Sequence, residues 1–301
     1  MELKAQLHLH TTESRGTRVV TESLIQPKQV IDIAKKSRID VIAITDHNNT
    51  RAYPKVKKYA DEKGVLLING VEISTADGHL IGLDVNVGIE EKLDESMTAL
   101  EAGDVIKDFG GEVYIPHVFD IRKQGIGDKV KDVDGIIEVF NSLDIYRFED
   151  KYAEIVASKF NRPRAVGADA HVSWMIDRCL TVVDSEPNVQ SVLEAIKDGR
   201  VRFENCRHMT LREMKELSLE RVINSYEFIK NKIKDGWDVD KWYMTLANNP
   251  IIKPVEKTTL ELGMRTKKSK IWDFVTCVSY LIAYFYGRYN KREFDAFIST
   301  L

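Results

Sequence analysis

Short runs of β-branched and aliphatic residues recur along the first two thirds of the chain, separated by stretches with helical periodicity. The runs are AQLHLH (5–10), DVIAITDH (40–47), VLLINGVEIS (65–74), HLIGLDV (79–85), EVYIPHV (112–118), GIIEVFN (135–141) and RAVGADAH (164–171). Between them, PKQVIDIAKKS (27–37) carries proline in its first turn, YPKVKKYADEKG stops at Gly64, and SVLEAIKDGR starts at Ser191. This alternation predicts an α/β fold, a sheet or barrel of parallel strands.

Beyond Asn205 the pattern is helical only, which predicts two parts, residues 1–205 and a helical region over 206–301. LREMKELSLERVINSYEFIKNKIKDG from Leu211 and KIWDFVTCVSYLIAYFYGRY from Lys270 are the predicted helices, joined through NNPIIKPVEK. The uncharged run from Phe274 to Tyr286 is shorter than the roughly 20 residues that span a bilayer, so it reads as a buried helix. Its aromatics, Trp272, Phe274, Tyr280, Tyr284, Phe285 and Tyr286, suit a core better than a base-stacking surface. RTKKSK from Arg265 reads as a solvated loop, with phosphate or an acidic surface as the alternative partner.

With 43% hydrophobic and 30% charged residues, the 301-residue chain has the composition of a soluble globular protein. MELKAQLHLH holds no apolar segment of the kind that makes a secretory signal. Cys179, Cys206 and Cys277 are far apart in the sequence and lack CxxC spacing, which predicts reduced thiols, a cytoplasmic location and no thiolate zinc site. The net charge of −3 hides an asymmetry: residues 1–205 carry about 27 basic against 35 acidic groups, and the remainder about 17 against 12. An acidic front part suits cation binding. The basic region suits an anionic partner, although solvated helix faces produce the same count.

Histidine supplies the sharpest signal. Of the seven in the chain, all but His208 fall at the C-terminal end of a predicted strand or, for His79, at a strand start after a tight loop. In barrels and open α/β sheets the carboxyl edge of the strands gathers the functional groups. Strand side chains alternate, so His8 and His10 point one way while Leu7 and Leu9 point the other. A lone strand-end histidine is more often structural than a ligand. Here TDHN adds Asp46 and His47, GVEIS adds Glu72, DGHLIG adds His79, IPH adds His117, and GADAH adds Asp169 and His171. Imidazoles and carboxylates without cysteine suit zinc, manganese or iron. Carboxylates clustered without a cation would repel one another.

LHLHT, AITDHN, GVEIS, GHLIG, IPH and GADAH, in this order, resemble the PHP (polymerase and histidinol phosphatase) family over roughly residues 1–205. The resemblance implies a distorted seven-stranded β/α barrel, two or three divalent metals, and hydrolysis of phosphate esters. It further implies that His8, His10, Glu72 and Asp169 hold one metal, that Glu72 bridges to a second held by His79 and His117, and that His47 and His171 hold a third. Many members complete the third site with an acid five residues beyond the second histidine of H-x-H; this chain offers Arg15 there, with Glu13 close by but out of register.

A guanidinium has only donors, so Arg15 cannot ligate a metal but can clamp a phosphate oxygen in the third metal's place. The alternative is a rearranged loop with Arg15 in solvent. Two metals are therefore expected, Mn, Zn or Fe. A shared hydroxide then attacks phosphorus, with His171 as proton shuttle and His47 lending a further donor. Asp46 is expected to orient an imidazole, and Asn141 and Arg178 are weaker candidates for substrate contact. Nucleotides or nucleic acid ends are the expected substrates, with the C-terminal helices as a possible oligomer contact and no membrane partner. Histidinol phosphate is the alternative substrate, and a degenerate module with a binding role is the alternative class.

Overall fold

A computed structural model describes residues 1–14, 23–122, 124–220 and 291–301. Seven strands match the predicted runs, six lying within them and β1 sharing only Ala5 and Gln6 with its run: β1 (Glu2–Gln6), β2 (Val41–Ile44), β3 (Leu66–Ser74), β4 (His79–Leu83), β5 (Glu112–Ile115), β6 (Ile136–Asn141) and β7 (Arg164–Gly167). Two strands that the sequence reading passed over follow, β8 (Leu180–Asp184) and β9 (Val201–Glu204). The helices are α1 (Pro27–Ser37), α2 (Ala52–Lys63), α3 (Ala99–Asp108), α4 (Arg147–Lys159) and α5 (Val189–Lys197). α1 begins on Pro27, and Gly64 ends α2 in the left-handed conformation, φ 66°.

The strand order is β7-β6-β5-β4-β3-β2-β1-β8-β9, and the sheet curls into a nearly closed barrel. Side chains close the seam between β7 and the paired β1 and β8. The Gln6 amide accepts from the Ala168 N–H at 3.2 Å and donates to the carbonyls of Ile176 and Cys179 at 2.9 Å, while the Thr181 hydroxyl accepts from the Val166 N–H at 3.0 Å. Beyond the β1 ladder the chain stays extended, with Leu9 bridged to Ala170.

The expectation of parallel strands holds for β1–β2, β2–β3, β5–β6 and β6–β7 but not for the rest. β4 is antiparallel to both β3 and β5, and β8 is antiparallel to β1 and β9. The reason at β4 is reach. Only residues 75–78 link β3 to β4, and the Thr75 N–H donates to the Gly78 carbonyl at 2.9 Å. So short a link makes a hairpin, since a parallel crossover needs a dozen residues or more.

One end of the barrel is apolar. α5 packs against β3, β7 and β8, and its Val192, Leu193, Ala195 and Ile196 join Leu3, Val41, Ile136 and Ala165 from the starts of four strands. These positions are all buried.

The chain divides into two compact units. Described residues 1–14, 23–122, 124–209 and 291–301 belong to the barrel's unit, and 210–220 to the other. Residues 211–220 and 291–300 are helical. The terminal helix packs on the barrel through Phe294, whose ring lies 5.2 Å from that of Phe119. The rest of the predicted helical region, with the Arg265 stretch, the Phe274–Tyr286 run and Cys277, lies outside the described residues. Among the described residues no helix is long and apolar enough to cross a membrane. The antiparallel pairing of β8 with β9 brings two cysteines that are distant in sequence together as free thiols, Cys179 Sγ to Cys206 Sγ 3.1 Å.

Candidate metal centre

The other end of the barrel is polar. His8 and His10 follow β1, His47 follows β2, Glu72 lies in β3, His117 follows β5, and Asp169 and His171 follow β7. His79 had stood apart as a residue at a strand start. Because β4 runs antiparallel to β3, its first residue meets the end of β3, with His79 opposite Ser74. The hairpin thus delivers His79 to the same edge as the others.

Glu72 is the hub. Its Oε1 lies 3.0 Å from His79 Nδ1 and 3.1 Å from His117 Nε2, while its Oε2 lies 3.1 Å from His10 Nε2, 3.3 Å from His47 Nε2 and 3.6 Å from His8 Nε2. Asp169 Oδ1 sits across from it, 3.4 Å from His8 Nε2, 3.3 Å from His10 Nε2 and 3.4 Å from His171 Nδ1. Four triads have ligand atoms within 4.8 Å of one another: His8, His10 and Glu72; His8, His117 and Asp169; His10, Asp169 and His171; His47, Glu72 and His79. His47 and His171 stack on His10, with centroids at 4.6 and 4.5 Å, so they occupy its opposite faces.

A second layer holds these groups. Glu138, fully buried in β6, accepts from Tyr114 Oη at 2.8 Å, from the His117 N–H at 2.8 Å and from Asn141 Nδ2 at 2.8 Å, and its Oε1 lies 3.0 Å from His8 Nδ1. One carboxylate therefore orients the His8 ring and anchors the backbone of His117. The sequence reading missed it. The available signal was a glutamate inside an otherwise apolar strand, IIEVF. Gly167 is required beside it, because a Cβ there would lie 2.1 Å from Glu138 Oε1 and 2.7 Å from the His8 Cβ. Asp46, expected to orient an imidazole, accepts from Thr11 N at 2.5 Å and Oγ1 at 2.6 Å, and is linked to His10 through the Ser14 hydroxyl. His117 and Asp169 have φ of 30° and 49°, a region that costs a non-glycine residue about 1–3 kcal/mol.

The electrostatics call for cations. Burial pulls the His10 imidazole down, yet its bonds to Asp169 and Glu72 outweigh that and hold its pKa up at about 10. His8 is likewise raised against its burial by the charges of Asp169, Glu138 and Glu72. Burial pushes the Glu72 and Asp169 carboxyls up, but the surrounding imidazoles win and hold both well below the carboxylate range. Ring nitrogens of His8 and His10 face each other at 3.4 Å, a contact that needs a proton or a cation between the lone pairs. His117 Nδ1 is buried without a hydrogen-bond partner among the described residues. The donor set, six imidazoles with two carboxylates and no thiolate, fits a hard or borderline divalent metal.

The remaining candidates fall elsewhere. Arg15 lies outside the described residues, and Glu13 pairs with Lys55 at 2.6 Å. Asn141 donates to Glu138 and caps Leu143 N at 2.7 Å. Arg178 is buried, with its guanidinium over the Trp174 ring and a bond to the His208 carbonyl at 3.3 Å.

Comparison with known proteins follows this geometry. The PHP domain model matches residues 6–225. The uncharacterized protein MJ1587 of Methanocaldococcus jannaschii is 35% identical over 145 residues, 46% of this chain and 82% of that one. The 5'-3' exoribonuclease Rnm of Salmonella typhimurium is 36% identical over 87 residues, 27% of each chain. In structure, the lesion-specific endonuclease PfuEndoQ of Pyrococcus furiosus matches 66% of this chain and 56% of that one with a TM-score of 0.52 at 17% identity, a likeness of fold. A match over most of the chain, together with imidazoles and carboxylates converging on one barrel edge, means that the chain belongs to the PHP domain family and is a metal-dependent hydrolase of phosphate esters.

Proposed function

We propose that the chain hydrolyses phosphate esters of nucleotides or of nucleic acid ends, using two divalent metals held at the Glu72 cluster. The observation that carries this reading is the division of Glu72: one oxygen faces His79 and His117, the other faces His8, His10 and His47. A carboxylate so placed suits a bridge, with His8, His10 and Asp169 on one side and His79 and His117 on the other. The chemistry supplied by a bound metal pair is acidification of water and neutralisation of phosphoryl charge.

The chain's own residues do the rest. His171 Nδ1 lies 2.7 Å from the Asp169 carbonyl oxygen, which assigns the ring proton to Nδ1 and leaves Nε2 as the basic atom. Nε2 takes the proton from the water that attacks phosphorus and returns it to the ester oxygen as the P–O bond breaks. His47, on the opposite face of His10, adds a donor for a phosphoryl oxygen. Glu138 keeps His8 and His117 aligned while this happens. One relative is named as an exoribonuclease, which favours nucleotide-like substrates over histidinol phosphate.

A hydrolysis panel tests the reading. Purified protein, stripped with chelator and reloaded with manganese or zinc, is compared on mononucleotides, 3',5'-bisphosphonucleotides, single-stranded RNA and DNA, and histidinol phosphate. Metal-dependent turnover on the first three groups is expected. Turnover on histidinol phosphate alone overturns the substrate, and no metal-dependent turnover on any ester overturns the enzyme.

A further inference from the structure

The loop that leaves β5 carries more than the candidate ligand His117. Five residues on, Arg122 is gripped by the carboxylate of Asp120, a residue only 1% exposed. Asp120 accepts from the Arg122 backbone N–H at 2.5 Å, from Nε at 3.0 and 2.8 Å, and from Nη2. The Asp120 N–H in turn donates to the His117 carbonyl at 2.9 Å, so ligand, carboxylate and guanidinium form one tight turn.

That turn is rigid. Phe119 packs against the rings of Tyr152, Phe294 and Phe297, and Ile121 N donates to the buried Glu149 at 2.8 Å. Gly125 passes so close beneath it that a Cβ would lie 2.1 Å from the His117 oxygen. Yet the arginine held so firmly is not enclosed: its side chain is 37% exposed. Asp120 occupies the Nε/Nη2 edge of the guanidinium. The Nη1/Nη2 edge remains, and Nη1 has no partner among the described residues. Through the Asp120 bond to the His117 carbonyl the turn that holds Arg122 is tied directly to a candidate ligand of the metal centre.

An exposed ion pair is worth about 0–1 kcal/mol, too little to explain burying a carboxylate to hold one arginine. A fixed guanidinium edge, by contrast, matches two phosphoryl oxygens in a paired, charge-assisted contact. We propose that Arg122 binds the phosphoryl group of the substrate through its Nη1/Nη2 edge, and that Asp120 is the positioning residue that aims it. This rests on the phosphoesterase reading above. It also supplies a phosphate clamp on described residues, the role that the sequence reading sought at Arg15.

The test compares wild type with Arg122→Ala, Arg122→Lys and Asp120→Asn on p-nitrophenyl phosphate, with inorganic phosphate as competing inhibitor and metal content measured for each. Arg122→Ala should raise KM and the phosphate inhibition constant by about 10–100-fold at full metal content. Lysine, which lacks the planar edge, should recover only part of this, and Asp120→Asn should fall between lysine and wild type. Free guanidinium should partly rescue Arg122→Ala, which the loss of a merely structural contact does not allow. If Arg122→Ala or Arg122→Lys binds phosphate as tightly as wild type, the clamp is overturned while the hydrolase stands. If wild type itself neither hydrolyses the ester nor binds phosphate, the phosphoesterase reading falls first.

Discussion

The two ends of this barrel are built from the same strands and obey opposite rules. At the end closed by α5, Leu3, Val41, Ile136 and Ala165 meet Val192, Leu193 and Ile196, all of them apolar and buried. At the other end, His8, His10, Glu72, His117, Asp169 and His171 are just as buried but ionisable, and two of them hold left-handed backbone. Apolar burial stabilises by removing surface from water, whereas buried charges cost several kcal/mol unless paired or bound to a cation. The first end therefore carries stability, and the second draws on it to hold a strained, charged cluster ready.

Substitutions that uncouple the two ends test this contrast. Glu72→Ala should have the largest effect, removing the hub of the cluster and lowering metal-dependent hydrolysis by at least about a thousandfold. Circular dichroism and metal analysis of that variant should show a folded barrel that has lost metal; full activity would break the contrast at its centre. Ile196→Ala probes the opposite end, where a buried deletion should cost about 2–4 kcal/mol, or about 5–15 °C in Tm, with kcat per folded molecule unchanged. A large fall in kcat at a temperature where the variant is folded would show that the ends are not independent.

Glu138→Gln sharpens the boundary between them, because Glu138 is buried like the core but serves the site. Activity and metal affinity should fall about 10–100-fold through loss of the His8 contact, with a smaller change in Tm than at Ile196. The reverse ranking would make Glu138 a structural group.

The smallest effect concerns His208, the histidine outside the cluster. Its Nε2 lies 2.8 Å from Asp150 Oδ2, and this bond holds its pKa above the ordinary imidazole value despite partial burial. A raised folded-state pKa contributes stability below the unfolded value of about 6.5 and loses it as pH rises through the folded value. Wild type should thus exceed Asp150→Asn by about 1–2 °C in Tm at pH 6, and the gap should close toward pH 9. A constant gap would mean that the contact does not titrate.

The candidate site was more legible in the sequence than the sheet that holds it. Ligand-type residues in short strand-end motifs betray themselves, because eight ionisable groups at strand ends have no role in an apolar core. Glu138 was hidden among apolar neighbours, since nothing in IIEVFN says which face of β6 meets His8. Arg122 was hidden by ordinariness, since an arginine in a loop is usually solvated and only the grip of Asp120 sets it apart. The short link TADG already required a hairpin, so the antiparallel β4 was within reach of the sequence. β8 and β9 were not, because strands of five and four residues, the second only partly buried, leave a weak period-two pattern.

By itself the sequence determined the alternation of strand and helix, the family, and the list of imidazoles and carboxylates from His8 to His171, because side-chain chemistry and periodicity are local properties. Only the tertiary structure decided that Glu72 is the hub, that His79 reaches the site on a reversed strand, that His47 and His171 flank His10, and that Asp120 aims Arg122. Those are distances between residues up to 161 positions apart in the chain, and they are set by barrel closure and strand direction, which no local pattern encodes.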